Sequence, residues 1–249
     1  MESKQVQESE QASGSTVRPI GEILKSLSLP SPLDAENERR HQRQMEVERK
    51  RRIIAFRNQV GQRYAGCTFD SWKASTEYQA SIKTVVQEWA ETFTERWRAA
   101  EGLVLYGPVG TGKDHLVYAA VDLLVQTRDI TPMWINGREF FGEVRDRIST
   151  DDPEANLIAK LRWPHLLVIS DPLPPIGDLS PHQADMLYRV VEARYSAGKI
   201  TVVTLNVADD AEADRRLGVA TWDRLCDGSW KLHCRWSSHR KPSRELKPA

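Results

Sequence analysis

Leu103-Val104-Leu105-Tyr106-Gly107-Pro108-Val109-Gly110-Thr111-Gly112-Lys113-Asp114 is the stretch whose reading decides the fold. A short apolar run stops at a glycine, a glycine-rich turn follows, and a lysine opens the next segment. Residues 107 to 113 match the phosphate-loop template G-x-x-x-x-G-K from its first glycine through its lysine. In such a loop Gly107, Pro108, Val109, Gly110, Thr111 and Gly112 turn backbone N–H groups inward, and the N-terminus of the following helix adds its dipole. Lys113 then reaches the β- and γ-phosphates, with Asp114 and His115 beside it in the first helical turn.

The flanks supply the context that the motif needs. Leu103 to Tyr106 reads as a strand, and Leu116, Ala119, Ala120, Leu123 and Leu124 recur at helical spacing. One position departs from the template. Asp114 stands where a Ser or Thr hydroxyl normally ligates Mg²⁺.

Further along, His165-Leu166-Leu167-Val168-Ile169-Ser170-Asp171 is an apolar run closing on polar residues, the pattern of a buried parallel strand. The end of such a strand faces the ligand crevice of an open α/β sheet, where nucleotide-hydrolysing proteins carry a metal-binding acid. Pro132 to Asn136 and Ile200 to Asn206 read as two more strands, and Trp230 to Trp236 as a fifth. Helices are expected over Arg138–Ile148, over about Pro181–Ala197 with a stop at Gly198, and over Arg215–Leu225 with a break near Gly218. Before the loop, Tyr78, Ile82, Val85, Val86, Trp89, Phe93 and Trp97 fit one face of a single core-packing helix. Alternating strands and helices mean a mainly parallel sheet covered on both faces.

The 249 residues suffice for one nucleotide-binding domain and an appended arm. Lys plus Arg and Asp plus Glu number 35 each, so net charge does not decide for or against nucleic acid. The three cysteines, Cys67, Cys226 and Cys234, form no C-x-x-C pair and read as reduced, small buried hydrophobes. The N-terminus has no signal-like apolar core and no run is long enough to span a bilayer, so a cytoplasmic protein without membrane attachment is expected.

Residues 1 to about 32 are rich in Ser, Glu and Gln and read as a mobile arm, with a short amphipathic element at Ile20, Ile23, Leu24 and Leu27. Asp34 to Val60 reads as a polar helix. Its basic block at Arg49 to Arg52, beside Ile53, Ile54 and Phe56, is open to two readings: a solvated face with Glu38, Glu46 and Glu48 as pairing partners, or a contact for a protein or DNA.

Taken in order, these pieces resemble the AAA+ ATPases of the DnaC–IstB type, which are helicase loaders and helper ATPases of insertion-sequence transposition. The resemblance spans about residues 64 to 240. It rests on Thr68-Phe69, the loop with His115-Leu116, Ser170-Asp171, Arg194-Tyr195, Asn206, Asp223-Arg224-Leu225, and the W-x-S-x-R ending Trp236-Ser237-Ser238-His239-Arg240. It implies an α/β P-loop NTPase with an AAA+ core, a five-stranded parallel sheet sandwiched by helices, and little or no lid. The expected domains are a partner-docking arm over 1–60, an ATP-binding domain over 61–240 and a basic tail over 241–249.

The same resemblance implies ATP and Mg²⁺ as cofactors, Lys113 and Asp171 as catalytic residues, and Asn206 as the sensor that positions attacking water. Arg224 looks like an arginine finger supplied in trans, which implies a nucleotide-dependent homo-oligomer, and Arg240 looks like a second sensor of the γ-phosphate. A replicative helicase or a transposase is the implied partner of the arm, and single-stranded or duplex DNA of the core. Arg138, Arg145, Arg147, Lys160, Arg162 and the tail Lys241, Arg244 and Lys247 are candidate DNA contacts, each read more readily as solvated surface charge than as a phosphate contact.

Asp114 and Ser170 both depart from the family, and at facing positions of the metal site. Carboxylate and hydroxyl have either exchanged sides, keeping one of each for the cation with Asp171 as water-polarising acid, or the site has decayed and turnover with it. A nucleotide-gated adaptor that does not hydrolyse ATP is therefore an alternative to a working ATPase.

Overall fold

A computed structural model of the chain describes residues 32–150 and 153–240. Helix α1 (Pro32–Val60) leads through a 3₁₀ turn at Gln62–Tyr64 to α2 (Glu77–Glu91) and α3 (Phe93–Ala99). Then come β1 (Leu103–Tyr106), α4 (Lys113–Thr127), β2 (Pro132–Asn136), α5 (Gly137–Thr150) and α6 (Glu154–Arg162). The chain continues through β3 (Leu166–Ser170), α7 (Pro181–Tyr195), β4 (Ile200–Leu205), α8 (Asp210–Leu217), α9 (Val219–Cys226) and β5 (Trp230–His233). The five strands form one parallel sheet in the order β2-β3-β4-β1-β5.

Each central strand is predominantly apolar because both of its faces are covered. Side chains alternate across a strand, so Leu103, Leu105, Leu166, Val168, Ile200 and Val202 enter one core with α2 to α4. Val104, Leu167, Ile169, Val203 and Leu205 enter the other, against residues of α5, α7 and α9. The first core is aromatic-rich: Trp89 is completely buried, and its ring meets Phe93 edge-on at 5.6 Å.

The single helix expected over Tyr78 to Trp97 is two, broken at Thr92, whose hydroxyl donates back to the Glu88 carbonyl. That turn lets Phe93 reach the core, while Tyr78 stays exposed and donates to the His233 carbonyl at 2.7 Å. The segment expected as one broken helix after β4 is also two, α8 and α9, hinged at Gly218 with φ 87°. Between β2 and β3 the structure adds α6, for which the sequence reading made no provision.

Compact units divide the chain at residues 47 and 48. In the first, the described residues are a helical stretch of α1 with exposed Leu33, Met45 and Val47. In the second, α1 from Glu48 onward belongs with the sheet: Phe56 is buried in the first core. Arg57 pairs with Asp122 through two bonds of 2.8 and 2.9 Å, and Arg52 meets Asp129 at 2.8 Å. Part of the basic stretch is thus committed to intramolecular pairing. The elements expected at Ile20–Leu27 and the tail Lys241, Arg244 and Lys247 lie outside the described residues. Among the described residues no helix is long and apolar enough to cross a membrane.

Candidate nucleotide site

The C-terminal ends of β1, β3 and β4 point to one edge of the sheet, and the loop after β1 turns over that edge into α4. Three of its glycines are structurally required, the first being Gly107 (φ 140°), where a Cβ would lie 2.4 Å from the Cys234 carbonyl oxygen. Gly112 caps α4 in the left-handed region (φ 88°), and a Cβ there would lie 2.6 Å from the Trp72 indole nitrogen. Gly110 (φ 84°) would place its Cβ 2.1 Å from Ser238 Oγ. The loop is therefore packed between the segment before α2 and the segment after β5. Trp236 donates to the Thr111 carbonyl at 3.0 Å, and the His239 amide donates to the Gly110 carbonyl at 2.8 Å.

Lys113 is buried, and its ammonium donates to the Gly107 and Pro108 carbonyls, both at 2.8 Å. Burial holds its pKa below the ordinary lysine value. The loop thus keeps its cation on its own carbonyls, where an incoming phosphate oxygen is a stronger, charged acceptor. His115 borders the same cleft as Lys113. Its Nε2 lies 2.9 Å from the Thr68 carbonyl and 3.2 Å from Ser71 Oγ, tying α4 to the segment containing Thr68 and Phe69, and burial lowers its pKa.

The two departures expected to face one another do so. Ser170 Oγ donates to Asp114 Oδ1 at 3.1 Å. Register explains the meeting: Ser170 closes β3 directly beside Thr204 of β4, and both look across to the first turn of α4. Thr204 Oγ1 donates to the same oxygen at 2.6 Å, and Tyr64 donates its phenol to Asp114 Oδ2 at 3.3 Å. Three hydroxyls therefore surround the Asp114 carboxylate.

Asp171, the next residue after β3, takes φ 46°, a left-handed conformation that aspartate tolerates better than most side chains. Its amide donates to the Thr204 carbonyl at 2.9 Å, and its Oδ2 accepts from the Asn206 amide. Its Oδ1 is buried with no hydrogen-bond partner, and burial raises its pKa above the ordinary aspartate value. An ionised, buried, unpartnered carboxylate oxygen is costly, and a cation is the natural way to satisfy it.

A cleft joins these groups, lined by Lys113, Asp114, Asp171, Asn206 and Arg240 together with Arg63, Tyr64 and Cys67. Arg240 therefore shares the cleft with the phosphate loop of its own chain. Asp114 and Asp171 also border a second cavity, on whose wall stand Arg138 and Arg145, both exposed. Of the other candidate DNA contacts, Lys160 is paired with Glu143 at 2.7 Å and Arg162 is exposed.

Arg224 is elsewhere. It lines a cavity with Gly102, Gly198 and Ser229, which precede β1, β4 and β5, so it stands at the opposite end of the sheet. There it pairs with Glu192, and its guanidinium lies 5.1 Å from the Tyr188 ring centroid. Arg194, singled out beside Tyr195, is fully buried and donates to the carbonyls of Leu161, Pro164 and Ile200, a structural post between α6, α7 and β4.

The residues present fit Mg²⁺ with a nucleoside triphosphate. The loop and helix N-terminus offer the phosphate cradle, and Lys113 and Arg240 offer positive charge. Asp171, with its bare buried oxygen, and Asp114 offer carboxylates to a cation that characteristically takes one or two of them and completes its shell with phosphate and water. Among the described residues no cluster of three or more His, Cys, Asp or Glu side chains forms a dedicated metal cage. Tyr64 and Thr204 were missed in the sequence. A threonine in an otherwise apolar strand was the available signal for Thr204, and nothing marked Tyr64.

No protein-family model matches the chain, and no curated protein matches it. Solved structures do. The chain is similar to the DnaC helicase loader (TM-score 0.61, 18% identity, covering 70% of this chain and 99% of that one). It is also similar to a putative primosome component from Streptococcus pyogenes serotype M3 (TM-score 0.57, 18% identity, covering 71% and 90%). A third is the replication initiator DnaA bound to AMPPCP and single-stranded DNA (TM-score 0.55, 16% identity, covering 67% of this chain and 49% of that one). At these identities the likeness establishes the fold alone: a five-stranded parallel sheet between helices, with the glycine-rich loop following β1.

Proposed function

We propose that this chain is an ATP-binding accessory protein of DNA replication, a helicase-loader-like AAA+ ATPase acting on a replicative helicase and single-stranded DNA. The observation that carries the reading is the grouping in one cleft of the phosphate loop, Lys113, Asp114, Asp171, Asn206 and Arg240. Partner and DNA are carried over from the similar structures, a helicase loader and an initiator bound to single-stranded DNA.

Loop amides and the α4 N-terminus bind phosphate oxygens, and Lys113 exchanges its carbonyl partners for them. Asp114 and Asp171 hold Mg²⁺, which supplies charge neutralisation to the phosphates. Ser170 keeps the hydroxyl that the loop lacks, so the pair retains one carboxylate and one hydroxyl. Asn206 holds Asp171 in place and shares the cleft with it, the position from which attacking water is oriented. Arg240 acts in its own chain. Arg224, at the far end of the sheet, acts on the site of a neighbouring copy, which makes the working unit a homo-oligomer. Its pairing with Glu192 and its stacking on Tyr188 hold it ready at that surface.

The test is ATP binding and turnover by the full chain with Mg²⁺, with and without single-stranded DNA, beside Arg224→Ala. Turnover that responds to DNA and vanishes in Arg224→Ala, with binding retained, is the expected result. Binding without turnover converts the reading to a nucleotide-gated adaptor. A response to duplex DNA alone moves it to a transposition helper.

A further inference from the structure

From Glu48 to Tyr64 the chain is fastened to the element that opens with the nucleotide lysine. Arg57 grips Asp122 on α4 through both carboxylate oxygens, Arg52 meets Asp129 just beyond α4, and Gln59 accepts from the Trp134 amide of β2 at 3.0 Å. Phe56 stacks on Tyr118 of α4 at 5.5 Å, and Tyr64 stacks on the same ring at 5.8 Å. Trp134 lies 5.8 Å from the Tyr64 ring on a tilted plane. The phenol held by these rings ends on Asp114 Oδ2, while Asp114 Oδ1 takes Ser170 and Thr204.

We infer that Tyr64 is a positioning residue that couples the anchorage of α1 to the loading of the nucleotide site, through its bond to Asp114. This rests on the nucleotide reading of the cleft. A ligating carboxylate needs a second partner to fix its orientation, and Tyr64 is that partner from the α1 side. At 3.3 Å the phenol bond is longer than an ordinary O–H···O bond, so it has room to shorten when Asp114 is drawn into a loaded site. Shortening pulls Tyr64 and, through the shared Tyr118 ring, Phe56 more firmly onto α4. Linkage makes the effect reciprocal: whatever tightens the last turns of α1 on α4 strengthens nucleotide binding, and a partner that strains that anchor weakens it. The polar helix thereby becomes an input to the site as well as a handle.

Hydrogen exchange of the amides of residues 48–60 in the full chain, with and without Mg²⁺ and a non-hydrolysable ATP analogue, tests this. Loading is expected to slow exchange there by about tenfold, an ordinary size for coupling between sites. Tyr64→Phe keeps the stack and removes the hydroxyl: the analogue binds several-fold more weakly, and at saturating analogue the slowing falls below about twofold. Arg57→Gln loosens the anchor from its other side, and reciprocity predicts about fivefold weaker binding of the analogue. Equal slowing in the wild type and Tyr64→Phe overturns the role of the hydroxyl. Binding by the wild type with no slowing overturns the coupling while leaving the nucleotide reading intact. Absence of binding by the wild type overturns that reading, and this inference with it.

Discussion

The two ends of the sheet treat charge in opposite ways. At the N-terminal end Arg194 is buried and spends its guanidinium on main-chain carbonyls and Thr201, Arg224 is paired with Glu192, and Tyr195 donates to Asp227 at 2.6 Å. At the C-terminal end Asp171 keeps a buried oxygen without a partner, Lys113 rests on neutral carbonyls, and Asp114 is solvated by hydroxyls alone. A satisfied network stiffens the domain, whereas an unsatisfied one is poised for a ligand. The difference separates a residue that holds the fold, the buried Arg194, from residues that await a nucleotide, although both are polar groups in an apolar setting.

That contrast predicts which substitutions damage which property. Arg194→Leu strips charged donors from several buried carbonyls, and stability should fall by at least about 3 kcal/mol, read as a lower denaturant midpoint. Lys113→Ala, at the other end, should leave that midpoint nearly unchanged while weakening ATP binding at least about 100-fold, or about 2.7 kcal/mol, by calorimetry. Were Lys113→Ala the more destabilising of the two, the division between ends would fail.

Within the C-terminal end, the Asp114 and Ser170 pair sharpens the comparison. Asp114→Thr and Ser170→Asp should each weaken Mg²⁺-dependent ATP binding by about tenfold, while the double variant recovers most of it. A coupling of about 1.4 kcal/mol or more marks an exchange of sides, and strictly additive losses mark decay. The smallest effect concerns the thiols. Burial pushes Cys234 up to about 12 and Cys226 up to about 11, whereas Cys67 is raised less and borders the cleft. Alkylation near neutral pH should take Cys67 first, and an ATP analogue with Mg²⁺ should slow it severalfold; equal rates at Cys67 and Cys234 would contradict this packing.

The sequence by itself determined the parts that are local. A glycine loop between an apolar run and a helix can be read from neighbouring residues, and four of the five strands begin and end within a residue of their apolar runs. The break at Thr92 and helix α6 were not legible, since core spacing persists across the first and the second lies in a stretch of mixed polarity. Asp114 and Ser170 were legible as a pair because a motif says which positions face one another.

Only the tertiary structure decided the remainder. Tyr64 and Thr204 lie 50 and 90 residues from Asp114, and no periodicity links them to it. Thr204 arrives because parallel pairing sets it beside Ser170, and Tyr64 because aromatic stacking carries the end of α1 over α4. The arginines Arg224 and Arg240 are close in sequence, yet the strand between them runs the full depth of the sheet and leaves them at opposite ends. Sequence spacing fixes what shares a turn or a face; strand order and register fix what shares a site.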